Sequence, residues 1–426
     1  MYRTIRIFVV AIFLACPVFA QPKGQPKFEA SIRRGFIFEA VQIPADSGAE
    51  CYVTYRVEYN KLVFLKEESK FVSRFSVSVE AVDSASGKIF RDSQKKEFSV
   101  DNYELTDAPY KYVQGLIKFK LNPGKYKIFS TVYDENSGSE SRFPPSNVVI
   151  TAKGEKNIFL NPLVVQKETD KNNQSYYLAN YEGNIPFLKD PLDLIIPVKD
   201  TSLTSLNVEI WNEDTLLIKD VLHESFVSSL DLLQDGNDIK VSTTSSNLLT
   251  RNFVIRGFNK QLQEGGVRIK LSYGNETRTI VKNVVWYNRP FVMFNTEYAI
   301  KMLKYIASES EIEKITQYSG IKLYWALLSY WKKYDPTPET AFNEIMEEYY
   351  QRVDYAINNF SLVSTKNGAE TDRGKIFIKF GQPQNIERTY SSSKDVKEIW
   401  HYNAPQKEFV FIDKTGMGNF VLNQSL

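Results

Sequence analysis

The spacing of apolar residues constrains this chain most, because it changes near residue 290. Before that point, apolar residues often occupy every second position, as Phe75, Val77, Val79 and Ala81 do. A period of two is typical of a β-strand with one buried face. After that point the spacing becomes three to four residues, which is typical of amphipathic helices. The sequence therefore predicts a β-rich N-terminal part followed by helices.

The β-rich part is long enough for two domains, which we predict at residues 27–152 and 156–290. Short alternating runs are separated by clusters of turn residues, the pattern expected of a β-sandwich. One segment, 121–126, resembles the turn before a late strand of immunoglobulin-like domains. The break near 151–156 has the composition of a linker. No repeat of fixed period occurs, which argues against a solenoid or a propeller.

Residues 295–426 form the third predicted unit, with helices over 296–361 and a sheet over 374–422. Ser308 and Glu311 have the spacing of a capping box. Thr337 is predicted to cap the next helix, with Pro338 at its first position. The predicted fold class is thus a mainly β N-terminal part of two β-sandwich or immunoglobulin-like domains. A helical segment and a small α+β C-terminal domain follow.

Residues 1–20 have the pattern of a secretory signal peptide. Arg3 and Arg6 precede an apolar run at 7–15, and Ala20 is a small residue at the cleavage position. An alternative is lipidation of Cys16 as in a lipoprotein. No second long apolar stretch follows, so no transmembrane segment is predicted after cleavage. We expect the mature chain to be extracytoplasmic: periplasmic, outer-membrane-associated or secreted.

Composition argues against several function classes. Lys plus Arg number 53 and Asp plus Glu number 51, so a general basic field for nucleic acid is absent. Two cysteines and two histidines leave little room for zinc or thiol chemistry. Cys51 lies in an alternating run and is predicted to be a buried apolar side chain. We predict no catalytic residue, no metal site and no cofactor.

Several short motifs follow the helices. Thr371, Asp372, Arg373 and Gly374 come just after Gly368, and further on lie the motif residues Gly381, Pro383, Trp400 and Tyr402. With a helix break at 331–338 and an Arg-Val-x-Tyr-Ala segment at 352–356, this order resembles the GWxTD domain, a family of secreted bacterial proteins, over residues 295–426. The resemblance implies an architecture and a location outside the cytoplasm. It implies no reaction, and Ala369 stands where the family has its namesake tryptophan.

The motif residues allow two interpretations. In the first they are a folding device. Gly368 and Gly374 adopt backbone angles denied to other residues, Asp372 accepts backbone N–H groups, and Arg373 reaches a carboxylate or carbonyl. In the second, Asp372 and Arg373 lie at a surface cleft with Trp400 or Tyr402 as an aromatic wall for a sugar or a peptide. The eight candidate binding residues are Thr371, Asp372, Arg373, Gly374, Gly381, Pro383, Trp400 and Tyr402.

The predicted function is a non-catalytic envelope protein that acts as a binding protein, scaffold or assembly factor through protein or glycan contacts. The alternative is an envelope hydrolase that uses carboxylates of the C-terminal domain. The C-terminal motifs also resemble those of small outer-membrane assembly lipoproteins, in which a helix-and-sheet module docks on another protein. The order of elements differs, because a strand is predicted at 375–380, where those proteins have a helix before the Gly-x-Pro turn.

Overall fold

A computed structural model describes residues 35–45, 48–108, 111–151, 158–170, 173–179, 183–244, 249–362, 367–390 and 395–425. The predicted signal peptide, Cys16 and most of the predicted linker at 151–156 lie outside these ranges. Among the described residues, no helix has the length and apolar character needed to cross a bilayer. The fold is mainly β up to residue 285, and its helices lie chiefly between 296 and 380.

The first β-domain pairs a three-stranded sheet, in the order β1-β2-β6, with a six-stranded sheet. In the larger sheet the order is β3-β4-β7-β8, with β5 on β4 and β9 on β7. The strands of the domain are β1 Phe36–Pro44, β2 Ala49–Glu58, β3 Leu65–Glu67, β4 Lys70–Asp83, β5 Ile89–Val100, β6 Tyr112–Leu121, β7 Gly124–Asp134, β8 Ser139–Arg142 and β9 Ser146–Ile150. A short α-helix, α1 Tyr103–Thr106, lies between β5 and β6.

The core of the first β-domain follows the predicted alternation. Phe75, Val77, Val79 and Ala81 point from β4 into the interior. Cys51 is buried among the same side chains, and burial raises the pKa of its thiol to about 12. A thiol with so high a pKa is a poor nucleophile at neutral pH.

The second β-domain combines a closed ring with a five-stranded sheet. The ring order is β10-β11-β17-β16-β18-β13, and the sheet order is β12-β20-β19-β14-β15. The sequence did not predict the closure of the ring. The strands are β10 Leu163–Asp170, β11 Asn173–Leu178, β12 Ile185–Pro186, β13 Leu192–Val198, β14 Leu206–Asn212, β15 Thr215–Leu222, β16 Ser225–Asp235, β17 Asp238–Thr244, β18 Thr250–Ile255, β19 Gly265–Tyr273 and β20 Glu276–Val285.

The two β-domains pack on each other directly. Val41 and Ile43 of β1 share one apolar cluster with ring residues such as Leu230 and Val241. Polar contacts accompany this cluster: the Gln114 side-chain amide donates to the Asp238 carboxylate at 3.0 Å. A shared core of this kind restrains domain motion more than a polar contact alone.

The helical segment follows β20 through a short turn at Phe291–Phe294. Its helices are α2 Thr296–Met302, α3 Glu309–Thr316, α4 Ile321–Trp331 and α5 Glu344–Phe360. The capping box of Ser308 and Glu311 is present at α3. The prediction that Thr337 caps the next helix is wrong: α5 begins after Asn343, whose side chain accepts from the Met346 N–H at 2.9 Å. Thr337 instead closes a local turn with Thr340.

The predicted strand at 375–380 is also wrong, because Asp372–Phe380 is a helix, α6. Thr371 caps it by accepting from the Gly374 N–H at 3.1 Å. The buried positions of this segment, Gly374, Phe377, Ile378 and Gly381, are spaced as on one face of a helix. The sheet predicted to begin at 374 therefore begins at Asn385. Its strands, in sheet order, are β21 Asn385–Tyr390, β22 Val396–Asn403, β23 Gln406–Asp413 and β24 Val421–Ser425.

Candidate functional site

The two motif glycines permit a close approach between backbones. Neither Gly368 nor Gly374 has a positive φ, so the expectation of unusual backbone angles is wrong. A Cβ on Gly374 would overlap the carbonyl group of Gly368, with only 2.9 Å to its carbon atom. A Cβ on Gly368 would overlap the carbonyl of Ala356 in α5 in the same way. The glycines thus bring α6 and its preceding loop against α5.

Thr371 and Asp372 connect this loop to its surroundings. The Thr371 hydroxyl donates to the Gly368 carbonyl at 2.7 Å in addition to capping α6. Asp372 accepts from the backbone N–H of Leu422 in β24 at 3.0 Å and pairs with Lys375 at 2.8 Å. The backbone donor comes from a strand far along the chain, so Asp372 ties the start of α6 to the edge of the sheet.

Arg373 belongs to a buried charge cluster centred on Glu398, whose side chain is 2% exposed. Arg388 pairs with Glu398, the Trp400 indole N–H donates to it at 2.7 Å, and Arg373 lies 3.6 Å from it. Arg373 also packs over the ring of Phe420 at 4.1 Å. Burial lowers the pKa of Arg373, and the charge of Glu398 opposes this effect. The predicted reach of Arg373 to a carboxylate is thus present.

Trp400 and Tyr402 lie on the same face of β22, 1% and 3% exposed. Trp400 packs against Phe360 of α5, with ring centroids 5.6 Å apart. The Tyr402 hydroxyl donates to the Gly381 carbonyl at 2.9 Å. Pro383, two residues after Gly381, is also buried. The hypothesis that either ring forms the wall of an open cleft is therefore wrong, because the helices cover both rings.

Ala369, at the position of the family tryptophan, is fully buried. Its carbonyl accepts from the Tyr305 hydroxyl at 2.7 Å. All eight candidate binding residues thus lie in or beside the interface where α5, α6 and the C-terminal sheet pack together. Their contacts favour the folding interpretation over the binding one.

A large cavity lies elsewhere, at the junction of the second β-domain and the helical segment. Its volume is about 890 Å³. The β-domain lines it with the β14–β15 turn, the start of β19 and the end of β20, and the helical segment lines it with the turn at Phe291–Phe294 and α4. A cavity of this size is in the range used for small-molecule ligands.

A charged triad crosses this junction. One guanidinium nitrogen of Arg289 lies 2.6 Å from the Glu264 carboxylate and donates to the Tyr324 hydroxyl at 2.7 Å. The Tyr324 hydroxyl donates to the same carboxylate at 3.0 Å. Burial lowers the pKa of Arg289, but Tyr324 and Glu264 outweigh it and the net shift is upward. Burial and Glu264 also raise the pKa of Tyr324. Arg289 therefore stays protonated, and the Tyr324 phenol stays neutral, at neutral pH.

A second cavity of about 290 Å³ adjoins the first. The two share the lining residues Gln263, Glu264, Tyr324 and Trp325. Trp325 is 46% exposed and its ring centroid lies 5.8 Å from that of Tyr324. We refer to the two adjoining cavities together as the junction groove.

Sequence analysis did not identify the junction groove. One signal for it was available: the buried stripe of α4 contains Leu323, Leu327 and Trp331, and Trp325 lies off that stripe. An amphipathic helix usually places its large apolar side chains on the buried face, so a tryptophan on the other face indicates a contact with something else. Arg289 and Glu264 carried no comparable signal, because they are distant in sequence and lie in different elements.

The model of the GWxTD domain family matches residues 273–424. This segment is a GWxTD domain. The match begins before the boundary predicted at residue 295, so the domain includes β20, a strand of the second β-domain's sheet. The two units are therefore joined by strand pairing, and the GWxTD domain supplies Arg289, Tyr324 and Trp325 to the junction groove.

Comparisons with other known proteins add little to the GWxTD match. No curated protein matches the chain. Among solved structures, squid arrestin matches with 8% sequence identity and a TM-score of 0.12, over 58% of this chain and 96% of that chain. A TM-score this low carries no argument about fold or function.

Asp354 of α5 holds the turn that lines the junction groove, and it should make stability depend on pH. Its carboxylate accepts from the backbone N–H groups of Phe291 and Val292. Burial raises the pKa of Asp354 to about 6, despite these two bonds. An acid whose pKa is higher in the folded state than in the unfolded state destabilises the fold as it ionises. The free energy of unfolding should therefore fall as the pH rises from about 4 to about 6.

The expected loss through Asp354 is roughly 2 kcal/mol after allowance for its residual exposure. Urea unfolding followed by tryptophan fluorescence at several pH values would measure it, with Asp354→Asn as the matched variant. Because all other titrating groups are shared, the wild-type profile should fall more steeply than the variant profile over this range. Parallel profiles would contradict the prediction.

Proposed function

We propose that this protein acts outside the cytoplasm as a non-catalytic binding or scaffold protein of the cell envelope, in contact with another protein or a glycan. One observation carries the proposal: the junction groove is large, lies between two domains and includes a half-exposed tryptophan, whereas the GWxTD motif is used within the fold. Ligand sites occur preferentially at domain junctions of this kind. The signal-peptide pattern of residues 1–20 supports the location.

The hydrolase alternative receives less support from the C-terminal carboxylates. Asp372 and Glu398 are held by the backbone of β24 and by two arginines, respectively. Burial raises the pKa of Asp413, but N–H groups of Thr415, Gly416 and Gly418 outweigh it, so the net pKa is lowered. A general acid needs a raised pKa and access to substrate. Asp413 has neither property, because its pKa is lowered and its side chain is buried.

An assembly role is the second candidate, and one observation favours it. The segment before the Gly381-x-Pro383 turn is a helix, α6, and a four-stranded antiparallel sheet follows it. This removes the difference in element order from the small outer-membrane assembly lipoproteins that the motifs resemble. An assembly factor would use the same envelope location as the proposed binding protein.

The proposal predicts that an envelope component contacts the junction groove in the native cell. A photo-crosslinking amino acid in place of Trp325 would test it, with the same amino acid in place of Tyr390 as the control. Tyr390 is 74% exposed and lies on β21, outside the groove. We expect a discrete crosslinked species from position 325 that is absent from position 390. Equal yields at both positions, or no adduct in the envelope fraction, would contradict the proposal.

A further inference from the structure

We infer that the junction groove binds a short, uncharged oligosaccharide, with the indole of Trp325 packed against a sugar ring. This inference rests on the proposed function and names the class of ligand for the same site. Four properties of the groove carry it: its volume, the charge of its lining, its amide and carboxylate side chains, and its exposed tryptophan.

The volume of the groove favours a small ligand over the surface of a folded protein. The larger cavity holds about 890 Å³ and the adjoining one about 290 Å³. Pockets for small molecules typically hold about 300–1,000 Å³. A protein partner usually docks on a flatter surface that buries more area. The shared wall at Glu264 and Trp325 makes the two cavities suitable for consecutive units of one linear ligand.

The charge of the lining argues against an anionic ligand. Among the described residues that line the larger cavity, Arg289 is the one basic residue, and it is already paired with Glu264. Glu213 is a second carboxylate in this lining, and it accepts from the Gly266 N–H. The larger cavity thus has two acids against one base, and the adjoining cavity adds one of each, Asp335 and Lys332, so acids still outnumber bases in the groove. A phosphorylated or carboxylated ligand would meet net repulsion, whereas sugar hydroxyls can donate to the carboxylate oxygens.

The remaining polar side chains suit a ligand that both donates and accepts hydrogen bonds. Gln261 and Gln263 line the groove from the loop before β19, and Asn283 lines it from β20. Amides offer donors and acceptors at once, as hydroxyl groups do. An acyl chain would cover these amides without pairing them, which costs free energy for each unpaired group.

The aromatic side chain completes the match to a sugar. A pyranose ring has an apolar face of C–H groups and a polar rim, so it can pack on an aromatic ring while its hydroxyls bond to side chains. Trp325 offers its ring at the wall shared by both cavities, beside Gln263 and Glu264. Val284, Val285 and Met293 add apolar side chains to the lining of the larger cavity.

The test uses the chain from residue 21 onward on a glycan array that displays neutral hexose and N-acetylhexosamine oligosaccharides. Cellotetraose, maltotetraose and chitotetraose would then be titrated in solution. We expect binding to at least one class, weakened about tenfold or more by Trp325→Ala, which corresponds to about 1.4 kcal/mol. Gln263→Ala should weaken it several-fold, Trp325→Phe should retain most of it, and Tyr390→Ala should leave it unchanged.

Unfolding curves of each variant would exclude misfolding as the cause of lost binding. A folded wild-type chain that binds no neutral oligosaccharide overturns the inference, and so does binding that Trp325→Ala leaves intact. A protein adduct from position 325 together with a negative array would overturn the oligosaccharide ligand and leave the proposed function standing. No adduct and a negative array would contradict both.

Discussion

Replacing Gly374 by alanine should destabilise the GWxTD domain by about 3 kcal/mol or more, at the upper end of overpacking effects. The added Cβ would overlap the carbonyl group of Gly368 and lie 3.1 Å from the Cα of Ala369. These are backbone atoms, which cannot rotate away as a side chain does, so α6 would have to move from its loop. Urea unfolding followed by both tryptophan fluorescence and far-UV circular dichroism would measure the loss.

Gly124→Ala is the matched control for this substitution. Its added Cβ would approach the ring of Tyr126 at 3.4 Å, which is an ordinary contact. We expect a change within about 0.5 kcal/mol for the control. If Gly374→Ala and Gly124→Ala have equal stabilities, the close approach of α6 to its loop is not required for folding.

Replacing Glu398 by alanine should cost about 3 kcal/mol, because breaking a buried ion pair leaves its partners without a counter-charge. Arg373 is mostly buried and would lose the carboxylate 3.6 Å away. The Trp400 N–H would lose its acceptor inside the core. Both effects act on the side of β22 that packs against the helices, so the unfolding midpoint of the whole domain should fall.

Glu408→Ala is the control for the Glu398 substitution, since Glu408 lies on the neighbouring strand β23 and pairs with His401 at the surface. Exposed pairs contribute little, so we expect a change of about 0.5 kcal/mol or less. A Glu398→Ala variant as stable as Glu408→Ala would mean that the cluster around Glu398 contributes no net stability.

Local patterns predicted much of the fold, and the reason is visible in particular elements. The alternation along β4 corresponds to side chains that point alternately into the core, and Ser308 with Glu311 caps α3 through bonds within one turn. Such features depend on residues close in sequence. The segment at 375–380 shows where local preference failed: its Ile and Phe residues favour a strand, but the cap at Thr371 and packing on α5 make it helical.

For the candidate sites, too, the sequence predicted local features and missed those that depend on distant contacts. The motif residues could be found from their order in the sequence, but their burial could not, since Trp400 is covered by Phe360 from a helix forty residues earlier. The sequence contained even less information about the junction groove. Its triad joins Glu264 of the β-domain to Arg289 and Tyr324 of the GWxTD domain, and no local pattern relates these three positions.

By itself, the sequence determined the periodicities, and therefore a mainly β N-terminal part followed by helices and a C-terminal sheet. It also determined the kinship of the C-terminal part to the GWxTD family. Only the tertiary structure decided that the namesake motif packs against α5 and the C-terminal sheet and that a groove opens where the domains meet. The physical reason is that periodicity reports which face of an element avoids water. Which elements then face each other, and what space remains between them, depends on contacts between residues far apart in the chain.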